Sequence, residues 1–285
     1  MIIDAHHHLW QFNEDDYAWM DESMSILKKD YLPADLEKQL DGTGVEGTVV
    51  IQARQNLDET RWLLEMAGRY PFIKGVVGWF DLCSEKLQSQ LNEFTDNPRL
   101  VGARHVIHDE PDDDFMLRPA FIKGMEKLVQ YNLSYDLLLF PKHLQRAFEL
   151  VCLFPDQRFV LDHLSKPLIK AGILEPWREE IMALASQPNV WCKISGMLTE
   201  ADHEHWKYED FIPYMDTVME AFGTDRIMLG SDWPVCRLAG EYHQVLDIPA
   251  RYFENLDPTD REKIFNLNCI ECYELPTYKS HLDYD

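Results

Sequence analysis

The chain has 285 residues, of which 46% are hydrophobic, and its formal net charge is −23. This excess of negative charge argues against nucleic acid and anionic membrane surfaces as partners. The sequence shows no signal-peptide pattern and no apolar run of the length of a membrane span, so we expect a cytoplasmic protein whose six cysteines are reduced.

The first ten residues, MIIDAHHHLW, carry the first chemical signal. Ile2 and Ile3 open an apolar segment typical of a buried strand, and Asp4, His6 and His8 follow at every second position. Residues two apart on a strand face the same side. The spacing therefore predicts that three groups able to bind a metal or transfer a proton share one face.

Short apolar segments alternate with amphipathic helical patterns along the rest of the chain. Eight segments are predicted as strands: 2–7, 47–52, 75–80, 101–106, 134–139, 158–163, 190–195 and 226–231. Several are hydrophobic nearly throughout, which is typical of parallel strands buried on both faces. Eight strands alternating with helices predict an α/β fold, a (β/α)8 TIM barrel, as a single domain over residues 1–285.

Long connections follow the first, fourth and seventh predicted strands, at 10–31, 107–118 and 196–207. In a TIM barrel such connections lie at the catalytic mouth. His203 and His205 are predicted to lie in a solvated loop or lid. The acidic segment 108–114 lacks the spacing of an EF-hand and is predicted to be a polar mouth loop.

The C-terminal region contains two further patterns. Cys269 and Cys272 form a CxxC sequence inside a predicted helix. No second cysteine pair or redox context accompanies it, so we expect a structural role. The acidic segment 281–285 is predicted to be a loosely held end.

Polar residues stand at the C-terminal ends of nearly all predicted strands, and in a barrel these ends converge on one site. In chain order they are Asp4, His6, His8, Arg54, Trp79, Arg104, His105, Asp136, Asp162, His163, Lys193, Asp232 and Trp233. Buried charged groups are costly unless they are paired, so this concentration predicts a functional site. For Asp136, Asp162 and Lys193, a structural ion pair is an equally good interpretation.

The types of these residues indicate a hydrolytic chemistry. Imidazoles with a carboxylate suit Zn²⁺ or a similar cation, and Asp232 could also deprotonate water itself. Cationic donors suit a substrate oxygen or carboxylate; those at the mouth are Arg54, Arg104 and Lys193. The set predicts water attack on a carbonyl. GxSxG, P-loop and GxGxxG patterns are absent, so serine hydrolysis, phosphoryl transfer and nicotinamide chemistry lack support.

The sequence around these residues resembles the amidohydrolase superfamily, whose barrels carry an HxH motif on strand one and an aspartate at the end of strand eight. More narrowly, it resembles the amidohydrolase-2 group of sugar-lactone hydrolases, to which L-fuconolactonases and L-rhamnonolactonases belong. The most specific segments are IDAHHHLW, NVWCKISGMLTEAD and DRIMLGSDWPVC. Other resembling segments extend over nearly the whole chain.

The resemblance implies a metal-dependent-hydrolase-like barrel that opens a sugar-acid lactone to an aldonate. It implies that Asp232 is the general base that activates water and that His8 and His163 line the reacting carbonyl. It also implies a set of residues that hold the lactone and its hydroxyls or pack against its ring: Arg54, Trp79, Arg104, His105 and Trp233.

The resemblance leaves the metal open. Strand five lacks the histidine, and strand four the lysine, that members with a binuclear centre use. One alternative is a single divalent ion, with Zn²⁺ favoured, held by His6, His8 and Asp232 with or without His163. The other is a hydrolase that needs no metal, as members of this branch are.

Two competing functions and the oligomeric state are also open. The first competing function is a metal-dependent decarboxylase or amidase of the same superfamily. The second is a small-molecule binding protein whose catalytic site has decayed. The expected partner is a small sugar lactone, and self-association into a homo-oligomer is left open.

Overall fold

The computed structural model describes residues 1–275, and within them eight parallel strands follow one another around a barrel in chain order. They are β1 (Ile2–His7), β2 (Val45–Ile51), β3 (Ile73–Gly78), β4 (Leu100–His105), β5 (Ser134–Leu137), β6 (Phe159–Leu161), β7 (Val190–Ile194) and β8 (Ile227–Leu229). The predicted TIM barrel is confirmed. The predicted loose end, 281–285, lies outside the described residues.

Helices cover the outside of the barrel. They are α1 (Pro33–Leu40), α2 (Leu57–Arg69), α3 (Leu87–Phe94), α4 (Pro119–Leu128), α5 (Leu144–Leu153), α6 (Trp177–Ala185), α7 (Met197–Glu200), α8 (Tyr208–Phe222), α9 (Tyr242–Tyr252), α10 (Pro258–Glu262) and α11 (Asn268–Tyr273). The Asn56 side chain caps α2 by accepting a hydrogen bond from the Glu59 backbone N–H. Within residues 1–275, no helix is both long enough and apolar enough to span a bilayer.

Strand β1 departs from simple alternation, so the prediction that Asp4 shares a face with His6 and His8 is wrong. Its pairing with β2 runs from Asp4–Thr48 to His7–Val50, which leaves one extra residue on β1. Such a bulge turns two successive side chains to the same face. Ala5 and His6 therefore both point into the barrel, and the Asp4 carboxylate instead accepts hydrogen bonds from Ser231 and Tyr242.

The barrel closes between β1 and the segment after β8. The backbone N–H of His8 donates to the Trp233 carbonyl at 2.7 Å, and that of Asp232 donates to the His6 carbonyl at 2.8 Å. The Asp4 carboxylate receives both the backbone N–H and the hydroxyl of Ser231, at 2.8 and 2.6 Å. This closing seam is therefore the element that places Asp232 beside His6 and His8.

The end of the barrel opposite the mouth is plugged by α11. Cys269, Cys272 and Tyr273 pack against inward side chains of the strands, among them Val160 and Met228. Both cysteines are buried free thiols. This packing agrees with the structural role expected for the CxxC sequence.

Candidate active site

One carboxylate oxygen faces three imidazoles at the mouth of the barrel. Oδ1 of Asp232 lies 3.4 Å from Nε2 of His8 and 3.9 Å from Nε2 of both His6 and His163. All four side chains are buried. The predicted catalytic residues, Asp232, His163 and His8, are thus brought together.

Asp232 is held as a carboxylate although it is buried. Burial alone would raise its pKa, but the electrostatic interactions with His163 and His8 outweigh burial and hold the pKa below the ordinary value. Its backbone is in the left-handed region, with φ of +55°. Non-glycine residues adopt this conformation at a cost, and such strain concentrates at functional sites.

The lone pairs of His6 and His8 follow from the groups that their ring nitrogens contact. Nδ1 of His8 is 2.9 Å from the Ile51 carbonyl oxygen, which can only accept, so Nδ1 carries the proton and Nε2 directs a lone pair toward Asp232. Nε2 of His6 is 3.3 Å from the guanidinium group of Arg104, which can only donate, so this nitrogen also offers a lone pair.

The donor set fits a single divalent cation. The ligating atoms of His6, His8 and Asp232 all lie within 4.8 Å of one another, and two imidazoles with a carboxylate suit Zn²⁺. The two Nε2 atoms are only 3.2 Å apart. Two lone pairs at this distance repel each other, and a cation between them and Asp232 would remove that repulsion. The hydrogen bond of His8 Nδ1 to the Ile51 carbonyl is of the kind that orients metal-bound histidines.

A second group of possible ligands, His6, Asp162 and His163, suits a metal less well. The Asp162 carboxylate is already neutralised by Lys193 at 3.0 Å and Arg104 at 2.9 Å. Burial would raise the pKa of Asp162, but these cations and His6 hold the pKa well below its ordinary value. Asp162 therefore serves as an anchor for its neighbours.

His163 is held in place by the segment that directly follows β7. Its Nδ1 is 2.8 Å from the Ser195 hydroxyl, and its ring packs on Gly196, where a Cβ atom would lie only 2.6 Å from that nitrogen. Burial lowers the pKa of His163 to about 3, so the ring is neutral. Its Nε2 is left facing Asp232.

Arg104 is buried, and its two terminal nitrogens contact groups within the protein. It contacts the backbone and side-chain oxygens of Gln52, Asp162, and Nε2 of His6 at 3.3 Å. The contact with His6 places its positive charge at the edge of the histidine cluster. A lactone oxygen could be met there, although substrate binding by Arg104 stays a prediction.

Lys193 lies deeper than a mouth residue. It is fully buried, and its ammonium group contacts Asp136 at 2.7 Å, Asp162 at 3.0 Å and Nδ1 of His6 at 3.3 Å. Both carboxylates raise the pKa of Lys193 against the effect of burial, so it stays charged. These contacts favour the structural ion pair over the predicted substrate contact.

Arg54 lies at the rim of the mouth, where about a fifth of its side chain is exposed. It pairs with Asp16 from the loop after β1 and lies over the ring of Tyr17. The buried carboxylate of Glu59 accepts the backbone N–H groups of Ala53 and Arg54 at 2.9 and 2.7 Å. Glu59 therefore fixes the backbone conformation of the segment that carries Arg54.

Trp79 and His105 form a pair on the β3–β4 side of the mouth. The Trp79 indole N–H donates to Nδ1 of His105, whose Nε2 is 2.6 Å from Glu110. Trp233, in contrast, is 2% exposed and packs edge to face against Tyr31. The ring of Trp79 is thus available at the mouth, whereas that of Trp233 is part of the protein core in this structure.

Two residues that support the site, Ser195 and Glu59, were not predicted from the sequence. Ser195 stands at the end of the seventh predicted strand, so its position was a usable signal, but hydroxyls are common at strand ends. Glu59 lies in the first turn of α2, where glutamates are usually exposed. Nothing in the local pattern predicts its burial.

Comparison with known proteins agrees with the fold. Residues 3–275 match the family model described as Amidohydrolase. A relative from Burkholderia ambifaria, named L-fucono-1,5-lactonase, is 37% identical over 84% of this chain and 82% of its own length. A second protein of that name, from Burkholderia multivorans, is 34% identical over 96% of each chain.

A solved structure extends the likeness to three dimensions. A crystal structure of an amidohydrolase from Burkholderia multivorans with bound Zn is 34% identical, with a TM-score of 0.94 over 97% of this chain and all of that one. The resemblance carried by the HxH motif and by the aspartate after β8 is confirmed: the chain belongs to the amidohydrolase family.

Proposed function

We propose that this protein is a lactonase that opens a sugar-acid lactone by water attack on the ester carbonyl, with Asp232 as general base. Two relatives that cover most of the chain are named L-fucono-1,5-lactonase, so a lactone of this kind is the first substrate to test. The observation that carries the mechanism is the ionised, buried carboxylate of Asp232, which faces the Nε2 atoms of His6, His8 and His163.

The reaction requires one proton to be taken and one to be returned. Asp232 removes a proton from water as the water oxygen bonds to the carbonyl carbon, which gives a tetrahedral intermediate. The ring C–O bond then breaks, and the proton passes to the departing alkoxide oxygen. His8 and His163 line the reacting carbonyl and the water beside Asp232. Proton transfer to a positioned group such as Asp232 contributes about 10²–10⁴-fold.

A divalent ion fits the same residues. His6, His8 and Asp232 would hold it, and the bound Zn of the related amidohydrolase supports Zn²⁺ as the ion. When bound, it would supply Lewis acidity that lowers the pKa of water and polarises the carbonyl. Arg104, at the edge of this cluster, adds a fixed positive charge near the carbonyl oxygen.

A pH-indicator assay tests the proposal, because lactone hydrolysis releases one proton for each aldonate formed. The purified protein is assayed with L-fucono-1,5-lactone and its stereoisomeric aldonolactones, with spontaneous hydrolysis subtracted. We expect saturable turnover of at least one lactone. Binding without turnover across the panel would indicate a decayed site, and carbon dioxide release from an unsaturated acid would indicate a decarboxylase.

A further inference from the structure

The turn after β6 has an unusual backbone. His163, Leu164, Ser165 and Lys166 have φ values of +55°, +53°, +59° and +52°, so four successive non-glycine residues are left-handed. This conformation costs roughly 1–2 kcal/mol per residue. The Lys166 N–H closes the turn on the His163 carbonyl at 2.7 Å.

The turn places Lys166 on the same side as His163. A turn closed between residues i and i+3 brings their side chains into line. The surrounding structure holds this arrangement, since Leu164 and Ser165 are fully buried and the Leu164 carbonyl accepts the indole N–H of Trp177 at 2.7 Å. Strained backbone conformations persist where the surrounding structure fixes them, and they cluster at active and binding sites.

The position of Lys166 in the barrel agrees with a place at the mouth. Lys166 ends the turn that follows β6, and α7, which ends at Glu200, follows β7. In a TIM barrel the segments that follow the strands form the catalytic mouth.

Lys166 is paired with Glu200, the last residue of α7, in the segment after the neighbouring strand β7. Nζ of Lys166 lies 2.9 Å from Oε1 of Glu200, and their side chains are 17% and 20% exposed. Among residues 1–275, neither side chain has another polar side-chain partner. Both therefore keep free hydrogen-bonding capacity, unlike Arg104, His105 and Lys193, whose polar atoms are largely used within the protein.

We infer that Lys166 and Glu200 bind neighbouring hydroxyl groups of the sugar lactone, with the ammonium group donating and the carboxylate accepting hydrogen bonds. The pair offers a donor and an acceptor side by side, which matches the chemistry of a diol. A site built to bond a substrate hydroxyl discriminates strongly against analogues that lack it. The inference rests on the proposed lactonase function. It identifies the residues that recognise the hydroxyl groups of the sugar lactone.

The test separates substrate binding from chemistry. Lys166→Met and Glu200→Gln are compared with wild type on L-fucono-1,5-lactone or on the best aldonolactone of the panel. We expect KM to rise about 10–100-fold, as for loss of a charged hydrogen bond, while kcat stays within about threefold. Unchanged KM in either variant, or loss of kcat at unchanged KM, would overturn the inference.

Lys170→Met is the matched control, because Lys170 pairs with Asp202 between the same two segments at 3.3 Å but is largely exposed. Its kinetics should equal those of wild type. If Lys166→Met does not fold, Glu200→Gln decides alone, since it preserves shape at a partly exposed position. A wild-type protein inactive on every lactone would overturn the proposed function and this inference together, whereas an active wild type with unaffected variants overturns only the inference.

Discussion

Oδ1 of Asp232 lies 3.4 Å from Nε2 of His8, whose other ring nitrogen is held 2.9 Å from the Ile51 carbonyl oxygen. The ring that faces the carboxylate is thus itself fixed by the backbone of β2. Asp232→Asn keeps the shape and the backbone hydrogen bond to His6 but removes the base. We expect kcat to fall at least about 10³-fold with an unchanged circular dichroism spectrum. Turnover near the wild-type rate would exclude Asp232 as the base.

Removal of the metal should affect stability as well as turnover. A ligand that binds only the folded state raises the unfolding temperature, in line with its concentration relative to Kd. We expect Zn²⁺ added to chelator-treated protein to raise Tm and to bind at about one ion per chain. His8→Ala should abolish both effects, while His203→Ala, in the loop after β7, should change neither. Equal zinc binding by wild type and His8→Ala would exclude this site.

Gly196 is predicted to be essential for the position of His163. Gly196→Ala combines a positive φ of +63° with a Cβ atom 2.6 Å from the His163 ring. We expect a loss of about 1–3 kcal/mol in stability from crowding and at least a tenfold lower kcat/KM. Gly172→Ala is the control, because Gly172 has a φ of +64° with nothing within 4 Å of the added Cβ atom. It should lose stability through strain alone and keep its activity.

Glu59 should make stability depend on pH. Burial raises its pKa from 4.5 to about 7, although two backbone donors and Arg54 oppose this. The folded state therefore holds a proton that the unfolded state has lost, and stability falls as pH rises from about 4.5 to 7. The decrease is on the order of 3 kcal/mol.

Glu59→Gln should flatten this dependence, because the amide oxygen can still accept the backbone donors and carries no charge. Urea unfolding between pH 5 and pH 8 measures the slope for each protein. Glu65→Gln, on the exposed side of the same helix, should keep the wild-type slope. Parallel curves for wild type and Glu59→Gln would show that the carboxyl titrates elsewhere.

Lys193→Met distinguishes the structural from the substrate-binding interpretation. The substitution leaves Asp136 and Asp162 buried without their shared cation, so we expect a loss on the order of 3–5 kcal/mol. Lys142→Met removes a surface ion pair with Asp113 and should cost less than about 1 kcal/mol. A stable Lys193→Met protein with a raised KM would instead support the substrate contact predicted from the sequence.

The sequence predicts the barrel well because the periodic signal is repeated eight times. Apolar β-branched segments and proline-led helices agree with each other along the chain, and the convergence of strand ends then brings Asp232, His8 and His163 together. Strands β5, β6 and β8 are shorter than predicted. After β6 and β8 the chain leaves the sheet in left-handed turns, for which no glycine gives a signal.

The details of the site depend on features that no local pattern encodes. The bulge in β1 moves Asp4 out of the site although its spacing from His6 is two. The distinction between Arg54 at the rim and Lys193 in the interior depends on depth along the barrel axis. Lys166 stands three residues beyond the predicted strand end, and only its left-handed turn returns it to the mouth.

Because of the closing seam between β1 and the 231–233 segment, the active site can form only after the C-terminal part of the barrel has been synthesised. Contacts such as His8–Trp233 and Asp4–Ser231 join residues more than 220 positions apart. The site therefore depends on contacts between residues that are far apart in the sequence. Such contacts form late in folding because loop closure must precede them. We therefore expect a ribosome-bound nascent chain to gain lactonase activity only after residue 233 has emerged, which makes hydrolysis a direct reporter of completed folding.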